Sequence, residues 1–181
     1  MLAYSSIAHA GYILIALVAM GSNGTSSVLF YLLAYTLTNL GAFGAVIAFS
    51  DGARERLEIG DYAGAAQKQP LVAAALAIFL LSLAGFPPFA GFVGKFLIFG
   101  AAVENGWTWL AVIGVLNSLV SAYFYLRPIV QMYMNEAKPG WDKRHVDVFV
   151  MIALIIAVVG VIALGVFPAP ALALAAGGLF R

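Results

Sequence analysis

Between Leu71 and Val103 the chain reads LVAAALAIFLLSLAGFPPFAGFVGKFLIFGAAV, 33 residues with Lys95 as the single charge. As one helix this stretch would be roughly 50 Å long, whereas a bilayer core of roughly 30 Å needs only about 20 apolar residues. One upright span does not fit. Gly85-Phe86-Pro87-Pro88-Phe89-Ala90-Gly91 supplies an interruption, because consecutive prolines remove two amide donors and clash with the preceding turn. Backbone groups freed at membrane depth persist only beside protein or water, and broken helices recur at ion and substrate sites in transporters. The bland alternative is a proline kink or a short re-entrant turn that only shapes packing. The expectation is one span broken at a Gly-Pro-Pro segment, with Gly85, Pro87, Pro88 and Gly91 at the break.

Lys95 weighs against the bland alternative. It lies eight residues before Val103, roughly 12 Å below the outer boundary, too deep to reach water easily on the near side. An ionisable residue inside a membrane is expensive and reads as functional by default. No Asp or Glu stands inside an apolar run of this chain to pair with it. Gly91-Phe92-Val93-Gly94-Lys95 superficially resembles the end of a phosphate-binding loop. That motif needs four residues between its glycines and a Ser or Thr after the lysine, so it is rejected.

The rest of the chain agrees with a lipid environment. Of its 181 residues 64% are hydrophobic and only 9% charged, with a mean hydropathy of +1.01; a soluble domain carries roughly a quarter charged residues. Charge-poor runs of membrane-crossing size extend over Met1–Met20, Val28–Ser50, Trp107–Met134 and Val148–Phe167, making about five transmembrane helices in an all-α membrane protein. Met1–Met20 is read as a span rather than a signal peptide, since it lacks a basic start and contains His9 and Tyr12. Arg54, Arg56 and Lys68 follow the second run and Lys138, Lys143 and Arg144 the fourth. The positive-inside rule puts both loops and Met1 in the cytoplasm and Arg181 outside. Trp107, Trp109 and Trp141 fall near predicted boundaries, where indoles favour the interface. The polar stretch from Asp51 to Pro70 is expected along the surface through Leu57, Ile59 and Tyr62.

A net charge of +1 argues against nucleic acid as a partner. The absence of cysteine excludes disulfides and cysteine-ligated iron–sulfur clusters within the chain. His9 and His145 are too few and too far apart in sequence to indicate a haem or a metal site. His9, among Tyr4, Ser5, Ser6 and Tyr12, is either a packed, hydrogen-bonded histidine or part of a wet proton path. Asn117, Ser118 and Ser121, with Tyr35, Thr36 and Asn39, could line such a path, but polar residues also simply hold membrane helices together, and that reading is preferred for them. Arg127 is close enough to the cytoplasmic boundary to snorkel. Gly41, Gly44 and Ala45 are expected at a close helix contact.

Three blocks carry a resemblance: Met1-Leu2-Ala3-Tyr4-Ser5-Ser6-Ile7-Ala8-His9-Ala10-Gly11-Tyr12, the stretch from Ser82 to Phe96, and Ser121-Ala122-Tyr123-Phe124-Tyr125-Leu126-Arg127. Together they resemble the antiporter-like membrane subunits of respiratory complex I, and within that family the C-terminal part of the subunit N branch. The branch follows from Phe30 to Leu40, which has neither the His nor the Lys that other branches tend to carry in that helix. The resemblance covers essentially the whole chain. It implies that Lys95 is the proton-translocating lysine of a half-channel on a discontinuous helix; His9 stands beside it as a candidate for proton translocation from its place in the first run. It further implies that residues 1–181 are the C-terminal part of an antiporter-like proton-translocating domain whose N-terminal helices are absent from this chain.

The function so implied is that of a membrane subunit of proton-translocating NADH:quinone oxidoreductase in a bacterial cytoplasmic membrane. Lys95 would load and release a proton as charges move with quinone reduction elsewhere. The chain would hold no catalytic redox site. NADH, FMN, iron–sulfur clusters and quinone would be bound by other parts of the complex. Its partners would be other membrane subunits, lipid and, indirectly, the quinone pool. The rivals are a subunit of a multisubunit cation/proton antiporter, which neighbouring genes would reveal, and a non-functional fragment, which the reading frame upstream of Met1 would expose.

Overall fold

The computed structural model describes residues 1–19, 24–50, 58–137 and 146–177, and all regular structure among them is helical. In chain order the helices are α1 (Leu2–Val18), α2 (Gly24–Phe49), a 3₁₀ turn (Ile59–Tyr62), α3 (Ala65–Lys68), α4 (Pro70–Ala84), α5 (Ala90–Glu104), α6 (Thr108–Met134), α7 (Val148–Val166) and α8 (Ala169–Gly177). Three of them, α2, α6 and α7, are long and apolar enough to cross a membrane, and α1 and α4 are shorter apolar helices. Arg54, Arg56, Lys138, Trp141, Lys143, Arg144, His145 and Arg181, on which the expected orientation largely rests, lie outside the described residues.

The helix ends follow local chemistry. Pro70 opens α4, where a missing amide costs nothing. Gly85 closes it with φ 91°, donating to the Ser82 carbonyl while Phe86 N–H reaches back to Leu81; this glycine-closed pattern satisfies two of the last carbonyls of a helix. Asp147 caps α7 by accepting the Phe149 amide at 2.7 Å. The sequence reading ended the last helix at Pro168 and Pro170, but Ala169–Gly177 forms α8. A proline in the first turn is tolerated because its amide would go unused there.

Around α2 pack α1, α4, α5, α7 and α8. In lipid there is no hydrophobic gain from joining helices, so van der Waals fit and small residues must do it. α2 has the required small face: Ala34, Ala42 and Ala45 are buried, and a side chain at Gly41 would enter the ring of the fully buried Phe79 at 2.4 Å. In the loop after α2, Leu57 lies outside the described residues and Ile59 is half-buried. Tyr62 is buried, edge-on to Phe49 at 5.7 Å, and Ala63 and Ala65 are buried with it, so this part of the segment packs against the helices. Large apolar side chains stay exposed along α6 and α7, among them Leu119, Tyr123, Phe149 and Ile156. Such a surface suits lipid or further helices, not water.

Candidate functional site

The site grows from the junction between α4 and α5. An α-helix leaves its last four carbonyls without partners. Those of Leu81 and Ser82 are met by the glycine-closed turn. Those of Leu83 and Ala84 are met by the Lys95 ammonium, at 2.8 and 3.1 Å, and its third bond goes to Ser118 Oγ of α6 at 2.8 Å. Lys95 is 5% exposed. Its stem runs past Gly85, where a Cβ would stand 3.1 Å from the lysine Cδ. The negative end of the α4 dipole thus faces the ammonium, a favourable placement for a cation.

His9 of α1 is also buried, at 3% exposure. Its Nδ1 lies 2.6 Å from Tyr31 Oη of α2 and its Nε2 3.2 Å from Tyr125 Oη of α6. Tyr125 in turn is hydrogen-bonded to Ser5 Oγ, and Tyr35 stacks on the imidazole at 4.8 Å and donates to Ser6. A neutral imidazole donates from one nitrogen and accepts at the other. The row Tyr31–His9–Tyr125–Ser5 can therefore be polarised in either sense by changing the tautomer.

Lys95 and His9 share Tyr12 as a neighbour. The ammonium sits 5.1 Å from the centre of the Tyr12 ring, and that ring meets the imidazole edge-on at 5.6 Å. Tyr12 Oη accepts from Asn117 Nδ2 at 3.0 Å. A cavity of about 10 Å³ lies among His9, Tyr31, Tyr35, Thr38, Ser82 and Gly91, about the size of one water. A larger cleft of about 370 Å³ lies at the Ser5–Tyr125 end, lined also by Met1, Tyr4 and Ile59.

Of the residues singled out in the sequence, Gly85, Pro87, Pro88 and Gly91 lie at the α4–α5 junction with Lys95, while His9 lies beyond Tyr12. Ser118 and Asn117 join the cluster, and Ser121 donates to Asn117 O of its own helix. Asn39 Oδ1 finds no partner among the described residues, and Arg127 is exposed. Tyr31, Thr38, Ser82 and Tyr125 were not singled out. For Tyr31 and Thr38 the signal was periodic: Ser5, His9 and Tyr12 recur at i, i+4 and i+7, as do Tyr31, Tyr35 and Thr38, and such spacing places each set on one helix face. Among the described residues no group of three or more His, Asp or Glu could hold a metal ion, and without cysteine the chain offers no thiolate to a cluster.

Residues 1–121 match a family model described as NADH:quinone oxidoreductase/Mrp antiporter, TM. NADH-quinone oxidoreductase subunit N of Trichlorobacter lovleyi is 46% identical over 168 residues, covering 93% of this chain and 34% of that protein. Subunit N 2 of Rhizobium meliloti is 46% identical over 180 residues, 99% of this chain and 37% of that one. The chain therefore spans about a third of the length of the curated relatives it matches. A chain of respiratory complex I from Thermus thermophilus, solved with bound aureothin, superposes with TM-score 0.82 at 38% identity over 98% of this chain and 40% of its own. A chain of the Mrp complex from Dietzia sp. gives 0.84 at 23% identity over 97% and 42%, a likeness of fold.

Proposed function

Because the chain belongs to the NADH:quinone oxidoreductase/Mrp antiporter transmembrane family, and is thus an integral membrane protein, we propose that it supplies the Lys95 half-channel of a proton-translocating subunit of bacterial NADH:quinone oxidoreductase. The observation that carries the reading is Lys95 itself: a buried ammonium held by two helix-end carbonyls and a serine hydroxyl. In this reading α1, α2, the α4–α5 pair, α6 and α7 make five crossings of a cytoplasmic membrane. α4 and α5 have 15 residues each, roughly 22 Å, and count as one crossing broken at Gly85, Pro87, Pro88 and Gly91. Residues 1–181 then form the C-terminal part of the proton-translocating domain. Its partners are other membrane subunits and lipid, and NADH, FMN, iron–sulfur clusters and quinone are held elsewhere in the complex.

Chemically, the chain's own residues move protons and no electrons. Lys95 holds a proton against neutral acceptors and passes it on when their balance changes. His9, with Tyr31 and Tyr125, offers a hydrogen-bonded route toward Ser5, the end nearer the cytoplasm in the expected orientation. Tyr12 and Asn117 fill the space between the two groups. The subunit N relatives, at 46% identity, favour this assignment over a cation/proton antiporter.

The test is Lys95→Ala in the complete complex, compared with Arg127→Lys. Proton uptake and NADH:quinone turnover are measured in membrane vesicles, with assembly checked on native gels. Lys95→Ala is expected to impair both activities in step in an assembled complex while leaving measurable residual turnover, whereas the exposed Arg127→Lys is mild. Full pumping by assembled Lys95→Ala would remove Lys95 from the mechanism.

A further inference from the structure

The two helix ends at the α4–α5 junction complete each other. Lys95 of α5 satisfies the Leu83 and Ala84 carbonyls of α4. At the start of α5 the N-cap residue is Phe89, which makes no side-chain cap bond. The Gly91 amide donates instead to Ser82 Oγ of α4 at 3.1 Å. Ser82 is fully buried. Thr38 Oγ1 gives its own proton to the Ala34 carbonyl at 2.7 Å, so the Ser82 hydroxyl is the donor in their 3.3 Å contact. The bonds run in one direction, from the Gly91 amide through Ser82 and Thr38 to the Ala34 carbonyl, and tie α5 through α4 to α2.

That tie bears on Lys95. Gly91 and Lys95 are one turn apart on the same helix face. A Cβ at Gly91 would stand 1.9 Å from the Ser82 carbonyl oxygen, so this turn of α5 is seated on the end of α4 with no slack. We infer that Ser82 is a positioning residue for Lys95: through Gly91 it holds the register in which Nζ reaches Leu83, Ala84 and Ser118, while Thr38 orients the serine hydroxyl. The inference rests on the reading of Lys95 as the proton site.

The experiment uses the complete complex in membrane vesicles with Ser82→Ala, Thr38→Val, Lys95→Ala and the double variant Ser82→Ala/Lys95→Ala. Ser82→Ala is expected to assemble and to lower proton uptake and turnover about 3- to 10-fold, the effect of one buried hydrogen bond. Its pH–rate profile is displaced from wild type, which a packing role would not produce. Thr38→Val, which keeps the shape and removes the hydroxyl, displaces the profile the same way by less. On the residual turnover of Lys95→Ala, Ser82→Ala adds no further loss, as expected when one residue acts through the other. An unchanged pH profile in both Ser82→Ala and Thr38→Val, or an equal loss with and without Lys95, overturns the inference. Should Ser82→Ala fail to assemble, Thr38→Val decides by its profile alone. Wild-type pumping by Lys95→Ala would instead sink the reading of the proton site, so the two failures are distinguishable.

Discussion

Gly165→Ala tests whether α7 braces the α4–α5 junction. A Cβ at Gly165 would stand 1.9 Å from the Pro88 carbonyl oxygen, 2.6 Å from the Phe89 carbonyl carbon and 2.8 Å from Phe89 Cα, where ordinary contact begins at 3.4 Å. All three are backbone atoms, so no rotamer change relieves the clash; helix or turn must shift by about 1.5 Å to regain van der Waals distance. Overpacking of this kind costs about 3 kcal/mol, and the better helix propensity of alanine returns about 1 kcal/mol. The remaining 2 kcal/mol or so is a factor of about 30 in the population of the seated junction. Gly100→Ala is the control, since nothing lies within 4 Å of its Cβ position. The assay is the half-life of NADH:quinone turnover of the complete complex at a fixed elevated temperature, with the assembled amount measured beside it. Gly165→Ala should assemble poorly or inactivate several-fold faster than wild type, and Gly100→Ala should match or outlast it. Equal half-lives for the two variants would refute the idea that α7 seats the Pro88–Phe89 turn.

Tyr31→Phe removes the hydroxyl beside His9 Nδ1 and should destabilise the subunit by about 1–3 kcal/mol through the buried nitrogen left without a partner; detergent stability of the complex would show it, and no loss would mean the nitrogen finds another partner. Asp147→Ala removes the cap of α7 and should cost about 1 kcal/mol, visible as faster proteolysis near that helix start, with Asp147→Asn close to wild type. A cysteine at Lys143 should react with membrane-impermeant reagents only from the cytoplasmic side; labelling only from outside would invert the orientation.

Much of the helical architecture was legible because membrane crossings announce themselves by length and lack of charge. The α2 start was placed four residues late, at Val28 in place of Gly24, because Ser and Thr early in a helix look like loop when only hydropathy is read. α8 was missed for a related reason: Pro168 and Pro170 stop a helix that precedes them but can begin one that follows. At the site, Lys95 stood out by its cost in an apolar run. Ser82 did not, since a lone serine in an apolar helix carries no signal of its own. Its role comes from Gly91 and Thr38, and the second of these is 44 residues away. Tyr31 and Tyr125 could have been found, because each lies on the polar stripe of its helix, Tyr31 with Tyr35 and Thr38 and Tyr125 with Ser118 and Ser121.

All three acceptors around the Lys95 ammonium are uncharged. A lysine locked to a carboxylate is a dipole to anything farther off, and its field dies quickly with distance. Lys95 against carbonyls and a hydroxyl is a monopole that exists only while the proton is there. At ~10 Å and an effective dielectric of about 20, one unit charge is felt as about 1.7 kcal/mol, more than a tenfold change in a neighbouring group's protonation equilibrium. On the proposed reading of Lys95 as the proton site, each proton that arrives or leaves would switch that field at neighbouring groups. The neutral lining would then make this one amine a transmitter as well as a carrier.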